Sequence, residues 1–322
     1  MEYVRLGHTG LQVSRLCLGC MGFGVMDCGG IPGKTGEEEA RKIIKYCLDQ
    51  GINFFDTANY YSLGASEEIL GRALKDYARR DEVVIATKLY YPMHEGPNAK
   101  GLSRKTILTE VDRSLKRLQT DYIDLYIIHR LDHETPMEEI METLNDLVRM
   151  GKVRYIGASS MYAWQFIKMN AIAKAHGWAQ FISMQDTYNL IYREEEREMV
   201  PMLIDQKIAM TPYSPLAHGV FNKPFDQERT DGIGKLQSDY VIAHDAKIIQ
   251  RVEELAHKYH VSQSTLALAW VLSKPYITSP LIGGSKIKYI DDALEAFSLH
   301  LTDEDLAYLE EPYVPHTQYG FR

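Results

Sequence analysis

Short apolar runs recur along the chain, with amphipathic stretches between most of them. The runs fall at residues 15–20 (RLCLGC), 52–56 (INFFD), 83–89 (VVIATKL), 123–129 (IDLYIIH), 153–158 (VRYIGA), 181–185 (FISMQ), 208–213 (IAMTPY) and 280–283 (PLIG). Each has the length of a strand, and several are rich in β-branched and aromatic residues. Helical patterns cover residues 37–50, 103–118, 137–150, 161–176, 193–207, 245–259, 262–273, 287–299 and 303–310. The first carries acids in its opening turn and stops at Gly51, and the second opens on Ser103 as N-cap.

Eight strands alternating with helices predict parallel strands joined by helical crossovers. Spread over about 300 residues, that repeat fits a (β/α)8 barrel better than an open doubly wound sheet. The nearly continuous apolar strands agree, because a parallel sheet is covered on both faces. No linker or composition break divides the chain, so residues 1–322 read as a single domain. Residues 2–14 predict a short hairpin plugging the barrel bottom. The weakly periodic segment 217–244 exceeds the usual loop length, as lids and binding loops do.

Composition narrows the function. The chain has 322 residues, 45% hydrophobic and 25% charged, and a net charge of −8 without a basic stripe. Nucleic acid and anionic membrane are therefore poor partners. No run approaches a transmembrane length and the N-terminus has no secretory h-region, so a reducing cytoplasm is the expected location.

The chemistry gathers at strand ends. In a barrel of this kind the active site lies at the C-terminal ends of the strands. Asp56 ends the second strand, Lys88 the third and His129 the fourth. Parity aligns Ile52, Phe54 and Asp56 on one face, as it does Val84, Ala86 and Lys88, and Leu125, Ile127 and His129. Pointed inward, an acid, a lysine and a histidine meet at the mouth, with Tyr61 reaching in from the next loop. Taken singly, each has a bland reading: a turn aspartate, a structural histidine. A lysine in an apolar strand is harder to dismiss, because burial without a partner is costly and Asp56 would relieve it.

Other patterns carry less. GGIPGKTG at 29–36 looks like a phosphate-binding loop, but the required first glycine is Cys28. Cys17 and Cys20 fall on opposite faces of a strand, which argues for structural thiols. His129 and His133 are spaced i, i+4 but lie in a loop. No metal is expected. Glu194, Glu195 and Glu196 read as a solvated first helical turn.

At this point the chain resembles a known family. FDTANYYSLGASEEILGRAL is similar to the aldo-keto reductase signature around its catalytic tyrosine, and IATK, IDLYIIHR and TPYSPLAHG follow in the expected order. The resemblance runs from LGHTGLQVSRLCLG to LIGGSKIKYIDDA, almost the whole chain. SMQDTYNLIYREEEREM and YIGASSM resemble the bacterial YajO-like subgroup, with aryl-alcohol dehydrogenase-type reductases as neighbours.

The resemblance implies a (β/α)8 barrel and NADPH-dependent reduction of a small-molecule aldehyde or ketone. It implies a tetrad of Asp56, Tyr61, Lys88 and His129. Tyr61 would protonate the oxygen as hydride arrives, Lys88 would lower the phenol's pKa, Asp56 would hold Lys88, and His129 would orient the carbonyl. Tyr213 matches the residue that stacks on nicotinamide, and Ser159 and Gln185 match those that bind its carboxamide. Ser214, Leu216 and Gly219 would approach the pyrophosphate with their backbone. Gly283 and Ser285 would open the last loop, Lys286 would meet the 2′-phosphate with help from Lys288, and Asp292 would contact adenine. Ser160 and Ala293 stand where the family commonly has asparagine. Tyr60, Trp164, Tyr313 and Tyr319 are candidates to line the substrate pocket. The alternatives are a barrel serving mainly as a cofactor-sensing binding partner, as in potassium-channel β-subunits, and a sugar-phosphate-converting enzyme. Oligomeric state is not readable from the sequence.

Overall fold

Eight parallel strands lie where the apolar runs predicted them: Cys17–Gly19, Phe54–Asp56, Val84–Leu89, Ile123–Ile128, Val153–Ser159, Phe181–Gln185, Ala209–Met210 and Leu281–Gly283. The structure is a computed structural model describing residues 1–28, 31–222 and 245–318. The first seven strands pair in chain order, and the eighth pairs with the first, Leu281 opposite Cys17 and Gly283 opposite Gly19. The seventh and eighth meet through a Met210–Ile277 bridge and a bond from Leu281 N–H to the Pro212 carbonyl at 2.9 Å. The result is the expected (β/α)8 barrel.

Two buried clusters explain the alternation. Cys17, Phe54, Val84, Ala86, Leu125, Ile127, Ile182 and Ala209 form the inner one, and Leu6 and Val13 of the N-terminal hairpin join it. The hairpin, Tyr3–Arg5 against Gln12–Ser14, therefore closes the floor. Residues of opposite parity, such as Leu18, Phe55, Ile85, Tyr126 and Ile128, belong to the larger cluster formed with the helices. Cys17 and Cys20 divide between the two clusters, as their spacing predicts. Ile52 does not point inward: it precedes the strand and packs in the outer cluster.

Most helices match their patterns, including Glu37–Asp49, Arg104–Leu118 with Ser103 accepting from Thr106 N–H, Met137–Arg149, Ala163–His176, Asp245–Tyr259 and Asp303–Glu310. Three differ. A helix over Ala65–Tyr77 follows the second strand and carries Gly71 in its interior. A Cβ at Gly71 would sit 2.5 Å from the Leu118 carbonyl oxygen, so the glycine that weakens the helical pattern allows two helices to touch. The stretch 193–207 is a 3₁₀ turn, Glu194–Glu196, followed by a separate helix, Met199–Gln206. The helix begun at Ile287 ends at Ala296.

The triple glutamate is not a solvated turn. Glu194 accepts from Tyr313 Oη at 2.7 Å and from His316 N–H at 2.8 Å, tying the C-terminal tail to the barrel rim. Glu195 is buried, and Glu196 accepts from Tyr188 Oη at 2.5 Å. The phosphate-loop lookalike is also spent internally, with the amides of Lys34 and Thr35 both donating to the Gly22 carbonyl, at 2.9 and 3.0 Å. The segment 223–244 and Tyr319 lie outside the described residues. Among those described, no helix is long and apolar enough to cross a membrane.

Candidate active site

Lys88 is wholly buried, the last inward-facing residue of the third strand. A buried ammonium needs every proton satisfied. Its Nζ donates to Asp56 Oδ1, to the Thr57 carbonyl at 2.8 Å and to Tyr61 Oη at 3.3 Å. Asp56, Lys88 and Tyr61 thus meet as the sequence predicts. His129 joins them edge-on, its ring centroid 5.7 Å from that of Tyr61 and the planes at 84°.

The electrostatics follow from burial and one cation. Burial pushes the Tyr61 phenol above its ordinary range, while Lys88 pulls the other way. The lysine acts in the expected direction, but burial outweighs it. For Lys88, burial opposes the charge most strongly, yet Asp56 and Tyr61 together raise its pKa, so it stays an ammonium. Burial, then the nearby charges of Lys88 and Arg130, hold His129 well below its usual range. His129 is therefore a neutral imidazole, able to donate one hydrogen bond without carrying charge.

Around this centre lies a shelf built from three successive strand ends. Ser159 Oγ donates to the Gln185 carbonyl at 2.8 Å, and Gln185 Nε2 donates to Asp56 Oδ2 at 3.0 Å. Asp186 accepts from the Ser160 amide at 3.0 Å through Oδ1, and its carbonyl accepts from Tyr213 N–H at 2.9 Å. Tyr213 Oη lies 3.3 Å from Ser160 Oγ. Ser160, Ser214, Ala217 and His218 all have φ near +50°, a cost that only a shaped loop sustains. The Gly219 amide is used within that loop, 3.0 Å from the Leu216 carbonyl.

The last loop suits a phosphate. Helix Ile287–Ala296 has the exposed Lys286 at its N-cap position with no side-chain cap, while the Tyr289 amide donates to the Lys286 carbonyl at 3.1 Å. Nothing lies within 4 Å of where a Gly283 Cβ would be. Ser285 stands between. Lys288 pairs with Asp292 at 2.9 Å, and Ala293 is buried core. These donor sets fit a dinucleotide: a polar shelf beside Lys88 and Tyr61, and an exposed lysine at a helix N-terminus.

The aromatic wall was only partly foreseen. Tyr60 packs on Tyr91 at 5.0 Å, and Tyr91 stands edge-on to His129 at 5.0 Å. Tyr90 meets Tyr91 at 5.3 Å, and Arg130 lies 5.8 Å from the Tyr91 ring. Sequence reasoning missed Tyr90, Tyr91 and Arg130, although the tyrosines follow the end of the third strand and Arg130 follows His129. Trp164 is 58% exposed, and Tyr313 is held on the rim by Arg193 and Glu194.

Comparison with known proteins agrees with the geometry. The model of the aldo/keto reductase family matches residues 16–313. The chain is 47% identical to versiconal hemiacetal acetate reductase of Aspergillus parasiticus, over 98% of both chains. It is 43% identical to putative aryl-alcohol dehydrogenase AAD16 of Saccharomyces cerevisiae, over 99% of this chain and 98% of the relative. It is 40% identical to aldo-keto reductase AMT2 of Alternaria alternata, over 97% and 91%. These relatives are fungal, and the yeast one is of the aryl-alcohol dehydrogenase type. The similarity thus includes the aryl-alcohol dehydrogenase-type reductases expected as neighbours, and is not specifically to the bacterial YajO-like subgroup.

Proposed function

The chain belongs to the aldo/keto reductase family, and on that premise we propose that it reduces aldehydes or ketones with NADPH, Tyr61 acting as general acid. The observation that carries this reading is the buried Lys88 ammonium set between the Asp56 carboxylate and the Tyr61 phenol. The dinucleotide, when bound, supplies the hydride. Tyr61 donates its proton as negative charge grows on the substrate oxygen, and Lys88 stabilises the phenolate left behind. His129, neutral, donates a hydrogen bond to the same oxygen and fixes its direction.

Ser159, Gln185 and Tyr213 would hold the nicotinamide. The loop of Ser214, Leu216 and Gly219 would run along the pyrophosphate. Gly283, Ser285 and Lys286 would take the 2′-phosphate, and Asp292 would lie by the adenine. We take residues 1–322 to act as one domain in the cytoplasm. The names of the relatives, one a hemiacetal acetate reductase and one a putative aryl-alcohol dehydrogenase, together with the tyrosine wall, favour aromatic carbonyl compounds.

The test is NADPH oxidation by the purified protein with a panel of benzaldehydes, aliphatic aldehydes, ketones and sugar phosphates. Turnover of aromatic aldehydes that Tyr61→Phe abolishes is the expected result. No turnover of any carbonyl, or full turnover by Tyr61→Phe, overturns the reading.

A further inference from the structure

Arg130 follows His129 immediately beyond the fourth strand, where the barrel opens. Its Nη1 donates to the His129 carbonyl at 2.6 Å, and its guanidinium lies 5.8 Å from the Tyr91 ring, which itself stands against His129. The group is therefore anchored beside the reacting centre rather than trailing in solvent. Its charge reaches every wall of the mouth: it lowers the proton affinity of Tyr61, Tyr90, His129, Asp186 and Tyr213.

Among the described residues, no carboxylate lies within ion-pair distance of Arg130. Asp186 feels its charge, and Asp186 Oδ1 already accepts from Ser160 N–H. Burial pushes the Asp186 carboxyl above the usual carboxylate range, which weakens it as a counter-charge. A partly buried guanidinium keeps its charge and presents a planar fork that matches a carboxylate. Beside it stand the faces and edges of Tyr60, Tyr90 and Tyr91, which suit an aromatic ring.

We propose that Arg130 recognises an anionic substituent of the substrate, so that the preferred substrates are aromatic carbonyl compounds bearing a carboxylate. This rests on the reductase reading of the same site. The carbonyl is oriented by Tyr61 and His129, the ring packs against the tyrosines, and the carboxylate meets the guanidinium. Selectivity then comes from a charge the site already holds, which an uncharged analogue leaves unsatisfied.

The experiment compares kcat/KM with NADPH for the three carboxybenzaldehyde isomers and their methyl esters, in the wild type, Arg130→Met and Arg130→Lys. At least one acid should be preferred over its ester by about 10- to 150-fold, the range of a charge-assisted hydrogen bond. Arg130→Met should erase that preference and leave the esters within a few fold of wild type. Arg130→Lys should keep part of it. No preference for any acid, or equal losses on acids and esters, overturns the proposal, the second by showing that Arg130 only braces His129. If the wild type reduces no aldehyde at all, the reductase reading fails separately. Calorimetric binding of benzoate then decides Arg130 alone: a tenfold weaker dissociation constant in Arg130→Met supports the proposal, and equal binding refutes it.

Discussion

The side-chain amide of Gln185 donates to Asp56 Oδ2 at 3.0 Å across the barrel, from the sixth strand to the second. Asp56 therefore serves two masters, with Lys88 on one oxygen and Gln185 on the other. The residue proposed to hold the nicotinamide carboxamide is thus wired to the acid that keeps Lys88 charged. Gln185→Leu would leave a buried carboxylate oxygen without its donor, which costs about 1–3 kcal/mol. A lower urea midpoint is expected, with both NADPH affinity and kcat reduced. Unchanged stability would show that the bond contributes nothing.

Tyr61 and Lys88 should separate chemistry from stability. Tyr61→Phe removes a proton donor and little packing, so kcat should fall by about 10²- to 10⁴-fold while the unfolding midpoint barely moves. Lys88→Met strands Asp56 in the barrel, and breaking one side of a buried pair costs about 3–5 kcal/mol. Equal stability of the two variants would refute the difference in roles.

The pH profile follows from the Tyr61 phenol, which burial raises and Lys88 lowers. Carbonyl reduction needs the protonated form, so the rate should hold through neutrality and fall only as pH rises through the phenol's own pKa. In Lys88→Met the lowering influence is gone, so the falling limb should move to higher pH even as the overall rate drops. His129, neutral throughout, should add no limb between about pH 6.5 and 8. A falling limb that stays put in Lys88→Met would mean that Lys88 does not tune the phenol.

His218 predicts an acid weakness in the proposed pyrophosphate loop. Burial lowers its pKa from 6.5 to about 4 in the folded chain. As pH falls, the unfolded chain takes up that proton first, so the stability is present above about 6.5 and is lost toward 4. The ring is partly exposed, and the loss should be on the order of 1–2 kcal/mol. His218→Asn, which tolerates the same positive φ, should flatten the stability curve across that window. An identical acid slope in the variant would assign the loss to other groups.

Cofactor choice should turn on Lys286. Its charge stands beside the uncapped start of helix Ile287–Ala296. Lys286→Met should raise the NADPH dissociation constant by about 10- to 150-fold and leave NADH nearly unchanged. Equal effects on both cofactors, or on neither, would reduce Lys286 to an ordinary surface residue.

The strands, and the meeting of Asp56, Tyr61, Lys88 and His129 at the mouth, were legible because both are local. Each strand is one apolar run, and Asp56, Lys88 and His129 sit at the ends of runs. What sequence reading missed depends on distant contacts. The helix Ala65–Tyr77 escaped because Gly71 breaks its pattern, and only the Leu118 carbonyl explains that glycine. Glu194 reads as a solvated acid until the tail, over a hundred residues later, brings Tyr313 and His316 to it. Tyr91 and Arg130 were overlooked for another reason: they lie three residues past Lys88 and one past His129, beyond the strands, and a loop side chain has no period to betray its direction.

The first barrel strand pairs early with the second but finds its other partner last. Cys17 pairs with Leu281, 281 − 17 = 264 residues away. During synthesis, at about 5–20 residues per second, that strand leaves the ribosome long before the eighth strand exists. For on the order of ten seconds or more the nascent chain carries two open edges of an apolar parallel sheet, a standing invitation to the wrong strand. The N-terminal hairpin, already made, lies at the foot of the same inner cluster. Truncations that stop before residue 281 should therefore engage chaperones far more heavily than the finished chain, since the ring stays open for as long as its last stave is missing.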